Sequence, residues 1–248
     1  YQDEGILWAT LNNGLAKIYF PSPLSVIDSR MGLSVEWPEI HSVDGRMFVF
    51  SDLKIQMGEY DACDRLRVFK EYPIPGHPII SNAVPTSEGV LVVSEGKSIY
   101  HEWESKENHV VVDGHVPARH YVFKSQPDYA VAFGVQRNHL IRKENGRWVP
   151  EGEPIPSSGF PSVVLEDAKG RLWVEYGVGR IIRMELVNGE LIAKQFDAPK
   201  GMENEWINVF EMGESIYISA RGEKMAEFDE QTQGFNLISQ SDFFPLPV

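Results

Sequence analysis

One turn recurs along this chain at nearly fixed intervals, and its spacing restricts the fold more than any composition value. An acidic or small residue with glycine precedes an apolar run at Glu4-Gly5, Asp44-Gly45, Glu88-Gly89, Lys169-Gly170 and Gly213-Glu214, and Pro127-Asp128 fills the remaining slot. Taking positions 5, 45, 89, 128, 170 and 214, the steps are 40, 44, 39, 42 and 44 residues. A period of about 42 residues lies in the range of four-stranded propeller blades.

The segments around each turn read as strands. After it come Ile6–Thr10, Met47–Ser51, Val90–Ser94, Tyr129–Phe133, Leu172–Tyr176 and Ile216–Ala220, rich in the β-branched and aromatic residues that a pleated, packed surface accepts. Before it come Glu39–Val43, Ile80–Pro85, Tyr121–Ser125, Ser162–Glu166 and Ile207–Glu211. Third strands are expected at Leu15–Phe20, Leu66–Tyr72, Ser98–Trp103, Leu140–Lys143, Arg180–Leu186 and Met225–Asp229, with weaker fourth strands such as Val110–Asp113, Leu191–Phe196 and Phe235–Ile238. Helical periodicity is missing over any window of a dozen residues. Many of the 16 prolines, as in Tyr72-Pro73-Ile74-Pro75-Gly76 and Glu153-Pro154-Ile155-Pro156, are expected between units.

Six such units account for the 248 residues. The expected fold is therefore all-β: a six-bladed β-propeller in one domain, with four-stranded antiparallel blades near 1–35, 36–76, 77–117, 118–159, 160–203 and 204–248. Only Tyr1–Glu4 precede Gly5, so the first unit lacks a full first strand, and residues 243–248 are expected to complete it and close the ring. Closure removes the seam at which a propeller would otherwise open. The other reading is a piece of a longer repeat array.

Composition narrows the partners. The net charge is −13, spread along the chain, which disfavours a phosphate backbone as partner. No apolar run reaches the length of a membrane-spanning helix. The first residue is Tyr1 and no leader is visible, as expected of a processed chain or an excised domain. The single cysteine, Cys63, excludes internal disulfides, and its acidic surroundings oppose an activated thiol.

The units carrying Gly5-Ile6-Leu7-Trp8-Ala9-Thr10-Leu11-Asn12-Asn13-Gly14-Leu15 and Leu165-Glu166-Asp167-Ala168-Lys169-Gly170-Arg171-Leu172-Trp173 resemble the two-component regulator propeller repeat. That family usually has Trp-x-Gly-Thr. Here Trp8-Ala9-Thr10 is shorter by one residue, and Trp173-Val174-Glu175-Tyr176 lacks the Gly-Thr. The other units keep the spacing and place Phe48, Val92, Val131 and Tyr217 in the Trp slot. The resemblance implies a propeller that senses a ligand, often derived from polysaccharide, on the outer side of a bacterial membrane. It implies no catalytic residue and no cofactor, and a partner that is a neighbouring domain or protomer of a signalling protein.

In a propeller, the start of each blade's first strand and the turn between its second and third strands crowd one face. Counting eight residues back from each repeat position gives Trp37, Ser81, His120, Ser162 and Trp206, with Pro245 sixth if the ring closes. Trp37, His120 and Trp206 would suit a sugar ring, whose C–H face stacks on indole, with Glu36, Arg119, Asn204 and Glu205 supplying polar contacts. The alternative is that Trp37 and Trp206 wedge between blades as core. Trp8 and Trp173 sit mid-strand and are expected to pack. The second-to-third turns bring Asn12, Asn13, Gln136, Arg137, Asn138, Arg180 and Arg221. Those arginines either grip a carboxylate in bidentate fashion or are solvated turn residues.

The seven histidines show no metal-ligand spacing. Glu39, Asn82, Asn204 and Asn208 are the nearest thing to the carboxylate and amide set of a metal-dependent propeller hydrolase, but they stand at different offsets from the repeat positions. The expected function is non-catalytic ligand sensing, extracytoplasmic by resemblance, with a metal-dependent six-bladed hydrolase, lactonase or lyase as the rival and a protein-interaction scaffold as a third reading.

Overall fold

The computed structural model describes residues 2–3, 6–11, 14–19, 24–27, 29–33, 38–51, 53–62, 66–77, 79–114, 117–157, 159–220 and 224–239. Up to residue 28 only the backbone is described. Trp37, Glu36 and Arg221, the Cys63 thiol and the expected closing segment 243–248 lie outside the described residues. No α-helix occurs among them, and none is long and apolar enough to cross a membrane.

Every strand belongs to a four-stranded antiparallel meander in which chain order equals spatial order. The chain forms two compact units, Tyr1–Val110 and Val111–Val248. In the first unit lie β1 (Gln2–Asp3), β2 (Ile6–Leu11), β3 (Gly14–Tyr19) and β4 (Leu24–Ile27), then β5 (Glu39–Val43), β6 (Arg46–Ser51), β7 (Lys54–Tyr60) and β8 (Leu66–Glu71). A third sheet, β9 (Asn82–Pro85), β10 (Gly89–Ser94), β11 (Lys97–Glu102) and β12 (Asn108–Val112), ends across the boundary. The second unit holds β13 (Pro117–Val122), β14 (Tyr129–Gly134), β15 (Arg137–Glu144) and β16 (Arg147–Pro156). It continues with β17 (Val163–Glu166), β18 (Leu172–Glu175), β19 (Arg180–Val187) and β20 (Glu190–Asp197), then β21 (Ile207–Met212), β22 (Ser215–Ala220), β23 (Lys224–Asp229) and β24 (Gly234–Ile238).

In β6, β10, β14 and β18 the second strand of the sheet is packed on both faces, which explains its apolar run. In β6, Phe48 joins a core with Val90, Val92 and Ile99 of the next sheet, while Met47 and Val49 turn the other way onto Leu33 and Phe69. In β18, Leu172 and Val174 pack with Phe123, Val131 and Phe133, and Trp173 faces Ile207, Ile218 and Phe228. Alternation along a strand sends successive side chains into different cores. Trp173 is 0% exposed, the packing role expected of it. Asn145-Gly146 and Asn188-Gly189 have positive φ at both positions, the geometry of two-residue hairpins whose twist matches the strands they join.

The repeat turns fall between the first and second strands as expected, but some neighbouring elements move. Leu66–Tyr72, expected as a third strand, supplies the fourth strand β8; the third is β7. Within β7 the buried Gln56 amide donates to the Gly32 carbonyl at 2.6 Å. The strand expected at Tyr121–Ser125 starts earlier, at Pro117, and ends at Val122. Lys124 and Ser125 leave the ladder to donate their amides to the Glu166 carboxylate. Pro154 and Pro156 lie inside β16 and not between units. β16 is the edge of its sheet, where a missing amide hydrogen costs no ladder bond on the open side. In the first sheet β1 stands in the first-strand position, paired with β2 through Gln2 and Asp3.

Candidate functional site

In the second unit, antiparallel meanders put the starts of first and third strands at the same end as the finishes of second and fourth strands. Hydrogen bonds between the sheets join these ends into one surface. An Arg119 guanidinium nitrogen donates to the Ser162 carbonyl at 2.8 Å. The Tyr176 hydroxyl donates to Asn138 Oδ1 at 3.0 Å. Trp206 forms an isolated backbone bridge with Val178, and the Gly179 amide donates to the Glu205 carbonyl at 3.1 Å. Arg119, His120, Arg137, Arg180, Asn204, Glu205 and Trp206 therefore come to one end of one unit.

They do not play equal parts. Trp206 is 59% exposed, so it is not core. Its backbone is braced rather than loose: the Glu205 amide donates to the Met202 carbonyl, and the Ala198 amide to that of Gly179. Gly179 permits the close approach. It has φ +66°, and a Cβ there would meet the Glu203 carbonyl oxygen. Phe160, 64% exposed, and Val178 stand at the same end and extend the apolar surface. Arg180 lies beside Gly159, where an added Cβ would stand 3.9 Å from the guanidinium. Arg137 and Asn204 are exposed and Glu205 is half-buried. His120, by contrast, is only 2% exposed and lies beneath this surface.

Glu175 was not among the expected site residues, and its chain neighbour Tyr176 bonds Asn138, which the second-to-third turns had offered. Glu175, at the end of β18, is 2% exposed. Burial pushes its carboxyl up to about 7, countered only by a hydrogen bond from the Ser162 side chain. Asn138 is fully buried; its Oδ1 accepts from Tyr176 and from the Gly134 amide, while Nδ2 has no hydrogen-bond partner among the described residues. Burial outweighs hydrogen bonds from the Ser157 and Asn138 side chains and raises the Tyr176 hydroxyl above the usual tyrosine range. A signal for this cluster was present in the chain. Glu175 and Tyr176 stand where the repeat family has Gly-Thr, and that departure marks the position.

Among the described residues, no group of three or more His, Cys, Asp or Glu side chains is placed to hold a metal ion. Of the hydrolase-like set, Glu39 and Asn82 meet in the first unit, with Asn82 Nδ2 3.5 Å from Glu39 Oε2. Asn204 and Asn208 are exposed in the second.

No known family profile matches the sequence, and no curated protein matches it. Solved structures share its fold. The streptogramin B lyase structure aligns with a TM-score of 0.63 at 14% identity, over 96% of this chain and 80% of that one. Virginiamycin B lyase from Staphylococcus aureus, in a catalytically inactive form with quinupristin, gives 0.62 at 15% identity over 96% and 82%. The extracellular domain of a candidate one-component system from B. thetaiotaomicron gives 0.51 at 12% identity, over 95% of this chain and 40% of that one. The chain has a β-propeller fold. At the level of fold it resembles that extracellular domain. Identity this low carries architecture and not chemistry.

Proposed function

We propose that this chain is a non-catalytic, extracytoplasmic sensing propeller whose ligand is a carbohydrate bound at the Trp206 end of the second unit. The observation that carries the reading is an exposed indole on a hydrogen-bonded, braced loop. A rigid aromatic face in water stacks the C–H face of a sugar at little entropic cost. Arg119, Arg137 and Arg180 supply donors suited to a uronic acid carboxylate, and Asn204 and Glu205 suit hydroxyls. The fold likeness to an extracellular sensor domain fits this role. Binding would be passed to a neighbouring domain or protomer of a signalling protein.

In the same reading the four-stranded sheets are the six blades of one ring, with residues 243–248 completing the first blade. Deleting 243–248 then lowers the melting temperature by several degrees, and a deletion without effect removes the closure.

The binding test is a glycan array that includes uronic-acid oligosaccharides, followed by titration of the hits into Trp206→Ala. Because Trp206 is exposed, this variant keeps its fold. Loss of binding with an unchanged melting temperature supports the reading; binding unchanged in the variant, or no glycan bound, ends it.

A lyase or hydrolase is the second reading. One observation favours it: Glu175, a buried carboxyl that titrates near neutrality beside Ser162, has the character of a general acid or base. Turnover abolished in Glu175→Gln with the fold intact would replace the sensor reading.

A further inference from the structure

A cleft in the first unit, formed by different residues, opens between two neighbouring hairpin turns. It has a volume of about 270 Å³ and is lined by Val43, Asp44, Arg46, Phe48, Thr86, Ser87 and Trp103. The β5–β6 hairpin supplies one wall. Arg46 and Phe48 are two apart on β6 and so share the face turned toward the next sheet. The Thr86–Gly89 turn and Trp103, just past β11, supply the other.

The walls are rigid before anything binds. Phe48 and Trp103 stack with centroids 5.6 Å apart and planes within 9°. Trp103 is fixed at both ends: its backbone amide donates to the Glu88 carbonyl at 2.9 Å, and its indole N–H to the Thr86 carbonyl at 3.0 Å. Thr86 Oγ1 is consumed inside its own turn, accepting from the Gly89 amide at 3.1 Å and donating to the Gly89 carbonyl at 3.0 Å.

Three polar side chains at the rim are left over. Asp44, Arg46 and Ser87 are exposed, and none has a hydrogen bond or ion pair among the described residues. The free polar capacity of the cleft is thus one guanidinium, one carboxylate and one hydroxyl, set around an aromatic wall. An uncommitted cation and anion two residues apart on one hairpin match a ligand bearing both charges close together. The volume lies just below the range of drug-sized pockets, which limits the ligand to a single small unit.

We propose that this cleft binds a free α-amino acid with a large apolar side chain. Arg46 takes the α-carboxylate in bidentate fashion, Asp44 takes the α-ammonium, Ser87 adds a hydrogen bond, and the side chain lies against Val43, Phe48 and Trp103. No bond is made or broken; the site is a receptor for a zwitterion, separate from the carbohydrate reading of the second unit.

The test uses the full 248-residue chain and calorimetric titration with L-phenylalanine and L-leucine. N-acetyl-phenylalanine and phenylalanine amide serve as probes in which one charge is removed. Arg46→Gln and Asp44→Asn are the variants. Both sites are exposed, and Asn tolerates the left-handed backbone that Asp44 adopts at φ 48°. The expected result is saturable binding of the free amino acids, weakened about tenfold or more in each variant and with each blocked probe, as loss of a charge-assisted hydrogen bond implies. Trp206→Ala is expected to bind the amino acids as the parent does. The proposal is overturned if neither amino acid binds, if a blocked probe binds as tightly as the zwitterion, or if either variant binds like the parent.

Discussion

The two ends of the sheets in the second unit are built differently. At the hairpin end, carboxylates are engaged by several donors. Asp167 accepts from the Lys169 and Arg171 amides, from Arg171 Nε at 2.7 Å and from Trp173 Nε1 at 2.8 Å. Burial alone would raise the Asp167 carboxyl; hydrogen bonds from Trp173 and Arg171 outweigh it and hold the group below its ordinary value. Glu230, hydrogen-bonded by Arg171 and Lys169, is held down at about 2. Glu166 clamps the Lys124 and Ser125 amides, and Glu211 accepts from the Ala168 amide. The opposite end leaves Trp206, Phe160 and Val178 in solvent and buries the Glu175 carboxyl near a lone serine. One end spends its polar groups on joining sheets, while the other keeps reactive and adhesive groups uncommitted. Recognition sites commonly carry such local cost.

Substitutions at both ends probe this contrast. Trp173→Ala should cost most, about 4 kcal/mol by denaturant unfolding, because it empties a fully buried aromatic site and removes the indole hydrogen bond to Asp167. A loss below about 1 kcal/mol would mean the core collapses around the gap. Asp167→Ala should follow at about 3 kcal/mol, since it strands the Arg171 and Trp173 donors in a buried place.

At the other end the expected sign depends on pH. The Glu175 carboxyl titrates at about 7 in the folded chain against an ordinary 4.5. Its stabilising contribution is complete below the unfolded value, falls as pH rises through the folded value, and is lost above it. The parent should thus lose roughly 2 kcal/mol relative to Glu175→Gln between acid and mildly alkaline pH, by paired melting curves. Parallel curves for the two proteins would show that Glu175 is well solvated. Trp206→Ala should shift stability by under about 0.5 kcal/mol, as for an exposed side chain. A larger loss would move Trp206 from the open end to the structural one.

Much of this frame was legible in the chain. The repeat turns located each first-to-second hairpin, because a glycine turn between apolar runs is a local signal. Strand β7 was not legible: its buried Gln56 is matched by the Gly32 carbonyl, 24 positions away, a partner that no local pattern shows. The end of β13 was misplaced because the amides of Lys124 and Ser125 are claimed by Glu166, more than 40 positions away. At the candidate site, sequence offsets brought Arg119, His120 and Trp206 to one end, but they could not separate the exposed indole from the buried imidazole. Exposure depends on which loop lies above, and that is a tertiary fact. Glu175 was visible only as a broken motif.

The ten-residue outer strand β16 carries Pro150, Pro154 and Pro156 together with Glu151 and Glu153. A long, bare sheet margin normally offers a row of donors and acceptors on which a stranger's strand can grow. Here that row is interrupted where a proline has no hydrogen to give, and like charges repel an arriving copy. The same prolines that obscured this strand in the sequence thus oppose fibrillar self-association of the concentrated protein along this margin.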